Sequence, residues 1–166
     1  MHVPAQPSPA AEAASAARPS ALVLRRLLSL CYDLLPVVAL WMLTAIPFVL
    51  LDVALHGGDT RHNIEPFSLM SWLLWSACWA VTGLYATVSW RRGGQTLGMR
   101  PWRLRLRTAD GAPPSWRALW LRYAVGTLSL LAGGLGFWWA WFDRGRLAWH
   151  DRASGTGLER LPKRKK

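Results

Sequence analysis

A chain of 166 residues with 52% apolar content, 12 tryptophans and a mean hydropathy of +0.13 is one domain long but too apolar for an ordinary soluble domain. A net charge of +11 would suggest nucleic acid in a soluble protein, yet here the 20 Lys and Arg are spread around three apolar runs and build no nucleic-acid module. Cys31 and Cys78 each sit inside an apolar run, so neither a disulfide framework nor a thiolate metal site is indicated.

Residues 1–20 are Ala, Pro and Ser with few bulky apolar side chains, the composition of a disordered tail. They carry neither the apolar core nor the cleavage pattern of a signal peptide, so the first span is expected to act as its own insertion signal. A helix is predicted from near Ala21, with Pro19 and Ser20 as break and cap, to about Leu55. Its stretch 34–51 holds no charge and approaches the ~20 residues that cross a bilayer core. Arg26 and Asp33 lie about two turns apart, roughly 10.5 Å of rise, so they share a face with Ser29 between them. That face continues through Pro36, Leu40, Thr44 and Pro47. An ionised carboxylate turned to lipid costs about 3 kcal/mol even on a lenient insertion scale, so Asp33 must face protein or a water-filled cavity. Pro36 and Pro47 disturb the carbonyls of Tyr32 and Leu43, which fits either a polar cavity or an ordinary membrane helix.

The segment 56–66 contains His56, Asp59, His62 and Glu65 in no metal-ligand spacing, so it reads as a solvated loop with no metal. Poor in positive charge, this loop is the one expected to be translocated, which leaves the basic segments in the cytoplasm. A second span is predicted at 67–90, with Ser76, Ala80, Gly83 and Thr87 as a packing face and Trp72, Trp75 and Trp79 turned to lipid. Next, Trp102, Leu104 and Leu106 alternate with Arg103, Arg105 and Arg107 before the turn signal Asp110-Gly111. This is a short cytoplasmic β-ribbon, apolar on one side and basic on the other, its arginines suited to anionic headgroups rather than to nucleic acid.

The third apolar run, 119–142, contains Arg122 and is broken by Gly133-Gly134 and Gly136 into pieces better suited to a re-entrant hairpin than to a full span. A continuous packed span would also place Arg122, Gly126, Ser129, Gly133 and Ala140 on one face. The hairpin keeps the basic C-terminal residues in the cytoplasm and is favoured for that reason. It would bring His150 and Asp151 to the level of Arg26, Asp33 and Arg122, where two carboxylates and two arginines could offset one another.

Arg26 with Asp33, Gly94-Gln95-Thr96-Leu97-Gly98, the extended segment closing on Asp110-Gly111, Arg122, and the stretch from His150 and Asp151 to Thr156 together resemble the RDD family of small bacterial multi-pass membrane proteins. The resemblance runs over about residues 20–158. The family's one arginine and two aspartates look like Arg26, Asp33 and Asp151; Met99 and Ser154 depart from the usual pattern outside those positions. It implies a multi-pass membrane protein for which transport, and for some members cation/proton exchange, has been proposed.

The expected architecture is an all-α membrane protein. It is a small bundle of two full spans, a third apolar run as hairpin or span, and the β-ribbon, occupying residues 21–158 before a basic tail at 159–166. Two readings of its function follow. In one, the charge cluster Arg26, Asp33, Arg122, His150 and Asp151 moves a small cation or proton, Asp33 acting as carrier and Asp151 or His150 exchanging protons with water. In the other, the same charges lock helices together. No nucleophile, phosphate loop or cofactor motif points to an enzyme, and three runs are few for a pathway, so a homo-oligomer in the bacterial inner membrane is expected.

Overall fold

The computed structural model describes residues 22–58, 63–108 and 110–162. The Ala/Pro/Ser tail, the expected cap at Ser20, Asp59, Arg61 and His62 of the loop, and residues 163–166 lie outside the described residues.

Helix α1 runs Val23–Leu55, 33 residues. At 1.5 Å per residue that is roughly 50 Å, longer than a ~30 Å hydrocarbon core. Leu22 occupies the N-cap position in a left-handed conformation (φ 51) without a side-chain cap. The first turn is fastened by packing instead, with Val23 buried against Ala140 and Ala148 and flanked by Leu27. Both prolines stay inside the helix. The buried face carries Val23, Arg26, Ser29, Asp33 and Asp52, with Pro36, Leu40 and Thr44 half-buried. Pro47, expected on that face, is exposed. The most apolar window of α1 is 0% buried, so it presents Leu35, Met42, Leu43 and Leu50 outward, as lipid requires and water would not tolerate.

Helix α2, Leu69–Gly93, begins at Ser68, whose side chain accepts from Ser71 N–H at 3.2 Å. It runs antiparallel to α1: Tyr85 meets Asp33, and about two turns further along α1 Trp41 donates to Thr82 at 2.8 Å. Only Gly83 and Thr87 of the expected packing face are buried; Ser76 and Ala80 are exposed, and Cys78 and Ala86 are buried in their place. The reason is that α2 serves two neighbours at once. Thr82 and Tyr85 face α1, while Gly83 lies under the rings of Trp120 and Tyr123, where an added Cβ would come within 2.4 Å of Trp120. Trp72 and Trp75 are outward at 59% and 65% exposure. Trp79 is lipid-facing only in part: at 42% exposure it also packs on Trp120 and Tyr123 and donates to Thr127 at 3.3 Å.

Gly94 ends α2 in the left-handed region (φ 68), its N–H on Trp90 O. Strand β1, Leu104–Thr108, buries Leu104 and Leu106 and exposes Arg105 and Arg107, as the alternation predicts. Trp102 and Arg103, assigned to the same ribbon from sequence, sit in the preceding turn, with Arg103 at φ 55. The partner of β1 is β2, Thr156–Arg160, antiparallel from Leu104↔Arg160 to Thr108↔Thr156.

Helix α3, Trp116–Leu131, starts at Ser115, which accepts from Ala118 N–H. Gly133 (φ 68) and Gly134 (φ 78) then turn the chain by 107° into α4, Leu135–Trp138, and a 3-10 turn, Trp139–Trp141. Gly136 has no room for a side chain, since a Cβ would stand 2.5 Å from Ser129 Oγ and 2.9 Å from the Trp149 ring. That close approach is what folds α4 back on the end of α3. Helix α5, Trp149–Ser154, then packs against α3, and Gly155 (φ 63) leads into β2.

Candidate functional site

The buried ionic centre is built around Asp151, which is 0% exposed and sits in the first turn of α5. Its carboxylate accepts from Arg26 of α1, from Arg122 of α3 at 2.5 Å, and from the N–H of Ala148 at 3.0 Å. Arg26 and Arg122 are 3% and 4% exposed. Arg122 also donates to Thr156 Oγ1 at 2.8 Å, and its guanidinium lies 5.4 Å from the Trp90 ring centroid. Ser154, one of the departures from the family pattern, shares a 2.6 Å hydrogen bond with Thr156. The Asp151 carboxylate thus ties α1, α3 and α5 together, and Arg122 extends the tie to Thr156, the first residue of β2.

With two guanidiniums on one carboxylate, the trio carries a net +1 in a desolvated place. Burial alone would raise the Asp151 pKa, but Arg122 and then Arg26 outweigh it and hold the carboxyl well below the usual range. His150 is pushed down to about 3, first by burial and then by Arg122, while Asp151 pulls the other way more strongly than Arg26 adds to the lowering. The imidazole is therefore neutral at physiological pH, packed at a 52° tilt against Phe137 with 4.6 Å between centroids.

Asp33 sits elsewhere. Its Oδ1 accepts from Tyr85 Oη at 2.7 Å and from Gly98 N–H at 2.8 Å, and its Oδ2 accepts from Thr96 Oγ1. No hydrogen bond or ion pair among the described residues links it to an arginine. The one network expected from sequence is therefore two: Arg26, Arg122, His150 and Asp151 come together, while Asp33 is held by neutral donors. The physical reason is the two-turn spacing along α1. It keeps Arg26 and Asp33 on one face but roughly 10 Å apart along the axis, so they reach different neighbours.

The Gly94–Gly98 motif supplies the Asp33 half. Gly94 O accepts from Leu106 N–H at 2.7 Å and Gln95 Nε2 donates to Leu104 O at 2.6 Å, so β1 is pinned to the end of α2. Thr96 and Gly98 then turn back onto α1, while Leu97 is half-exposed and its N–H donates to Tyr85 Oη at 3.1 Å. Gly98 must be glycine here: a Cβ would lie 2.2 Å from Ser29 O and 2.6 Å from Asp33 N, contacts no rotamer change can relieve.

Sequence reasoning missed Tyr85 and Trp90. A phenol within an apolar span was the available signal, because a tyrosine in lipid needs a partner for its hydroxyl. The role of Trp90 carried no signal of its own. Among the described residues, no group of three or more His, Cys, Asp or Glu is placed to hold a metal ion.

No curated protein and no solved structure matches the chain. The model of the RDD family matches residues 20–155, a stretch that contains both carboxylate sites and the Gly94–Gly98 motif. With most of its length matched and two long apolar helices that fit a bilayer, the chain belongs to the RDD family of membrane proteins.

Proposed function

We propose that this integral membrane protein is non-catalytic and serves as an assembly module, its signature charges locking the membrane helices to a small platform at one face of the bilayer. The observation that carries this reading is Asp151, held by arginines from two different helices at 0% exposure. A carboxylate so engaged is poorly suited to releasing and rebinding a cation, and the net positive charge of the trio repels one. The platform is the cytoplasmic side of the bacterial inner membrane in this reading, with both termini there. The support is that Arg91, Arg92, Arg105 and Arg107 cluster with the Arg122 end of α3, and that the chain turns back by 107° after α3 to meet Arg122 again at Asp151. The outward apolar faces of α1 and α2 suit packing in a homo-oligomer. A reporter fused after Lys166 should be active only in the cytoplasm, and periplasmic activity would reject this orientation.

The second reading, exchange of a small cation or proton, draws on Asp33, a membrane-helix carboxylate at 8% exposure whose partners are all neutral and next to Pro36. Flux separates the two. Vesicles containing the wild-type protein should pass no more Na⁺, K⁺ or H⁺ than empty ones if the charges only lock. A flux that Asp33→Asn abolishes while the protein stays folded would establish exchange.

A further inference from the structure

The basic side of β1 opens into a groove of about 460 Å³ that borders both carboxylate sites but is lined by none of their charged residues. Arg91 and Arg92 from the last turn of α2 and Arg105 and Arg107 from β1 line it, with Glu159 as the one carboxylate. We infer that this groove holds the phosphate of an acidic phospholipid headgroup, an inference independent of whether the protein locks or transports.

The four guanidiniums are not equivalent. Arg107 is paired with Glu159 at 3.0 Å, and Arg91 donates to Pro114 O, which holds the loop after β1 against the end of α2. Arg92 and Arg105 make no hydrogen bond or ion pair with any described residue. Arg105 is nonetheless positioned, because its stem lies across Gly94, where a Cβ would meet its Cγ at 2.9 Å. Two free planar forks beside a fixed wall suit the tetrahedral oxygens of a phosphate, which accepts paired N–H bonds from arginine. The end of α2 offers the negative pole of its helix dipole, so an anion is held there by side chains and not by the helix terminus.

Position selects the lipid source. The groove lies at the last turn of a membrane-length helix, with Trp90 in its lining, and α3 starts just beyond Pro114 with Trp116 at 46% exposure. Tryptophans at that depth mark the headgroup layer, and juxtamembrane arginines there meet anionic phosphates. Bases of a nucleic acid would need exposed aromatic platforms, and the one ring in the lining, Trp90, is half-buried and occupied by Arg122.

The test uses the full chain in uncharged detergent, melted with tryptophan fluorescence as readout. Short-chain phosphatidylglycerol should raise the melting temperature by a few degrees, and short-chain phosphatidylcholine should not. The response should fall to less than about a third in the double variant Arg92→Gln/Arg105→Gln. It should persist in Arg117→Gln/Arg144→Gln, which removes the same charge at two arginines that do not line the groove. If the first double variant fails to fold, Arg92→Gln alone makes the comparison, since that exposed side chain supports no contact. Equal responses in the two double variants would overturn the site. A full response to free glycerol phosphate with none to the lipid would overturn the headgroup source, as would a larger response to a single-stranded oligonucleotide.

Discussion

Asp151→Asn and Arg26→Met should have very unequal costs, although each removes one member of the same ion pair. The wild-type trio has two attractive pairs and one Arg–Arg repulsion, all at 0–4% exposure. At an effective dielectric of 20 each close pair is worth about 4 kcal/mol before desolvation. Asp151→Asn loses both attractions and leaves two cations facing one another, so its cost should exceed the 3–5 kcal/mol typical of breaking a single buried pair. Arg26→Met loses one attraction but also removes a repulsion and a desolvated charge. What remains is the neutral Arg122–Asp151 pair, with Ala148 N–H still on Oδ2, and a cost of about 1–2 kcal/mol. For a domain of this size each kcal/mol moves the midpoint by about 2–4 °C. Melting of the purified full chain in detergent should therefore show Asp151→Asn down by more than about 10 °C and Arg26→Met down by about 2–8 °C. Equal losses, or a larger loss for Arg26→Met, would refute the accounting of charge at this centre.

Gly98→Ala should destabilise by about 1–3 kcal/mol or more, since its Cβ would stand 2.2 Å from a backbone oxygen that cannot swing aside; a variant melting within about a degree of wild type would contradict the close approach. His150 gives a pH dependence. Its pKa is lower folded (about 3) than unfolded (6.5), so the unfolded chain takes up the proton first. The stabilisation is complete above about pH 6.5 and is lost as pH falls toward about 3, amounting to about 2 kcal/mol by pH 5. His150→Gln should flatten the melting temperature between pH 7 and 5, and an unchanged slope would assign the titration to another group.

The sequence by itself determined the long elements and their chemistry. Uninterrupted apolar length predicts α1 and α2, alternation predicts β1, and Gly133-Gly134 marks the place where the third run turns, because these follow from local pattern and backbone freedom. Spacing alone put Arg26, Ser29 and Asp33 on one buried face. Only the tertiary structure decided which neighbour each of them meets. Asp151 reaches Arg26 across 125 positions of chain, and β1 finds β2 through a segment, Thr156–Arg160, with no alternation to announce it. The separation of Asp33 from the arginines belongs to the same class of fact. Two charges on one helix face share a direction, but their partners are fixed by where other helices cross that face, and α2 with its Gly94–Gly98 turn crosses at Asp33 while α5 crosses at Arg26.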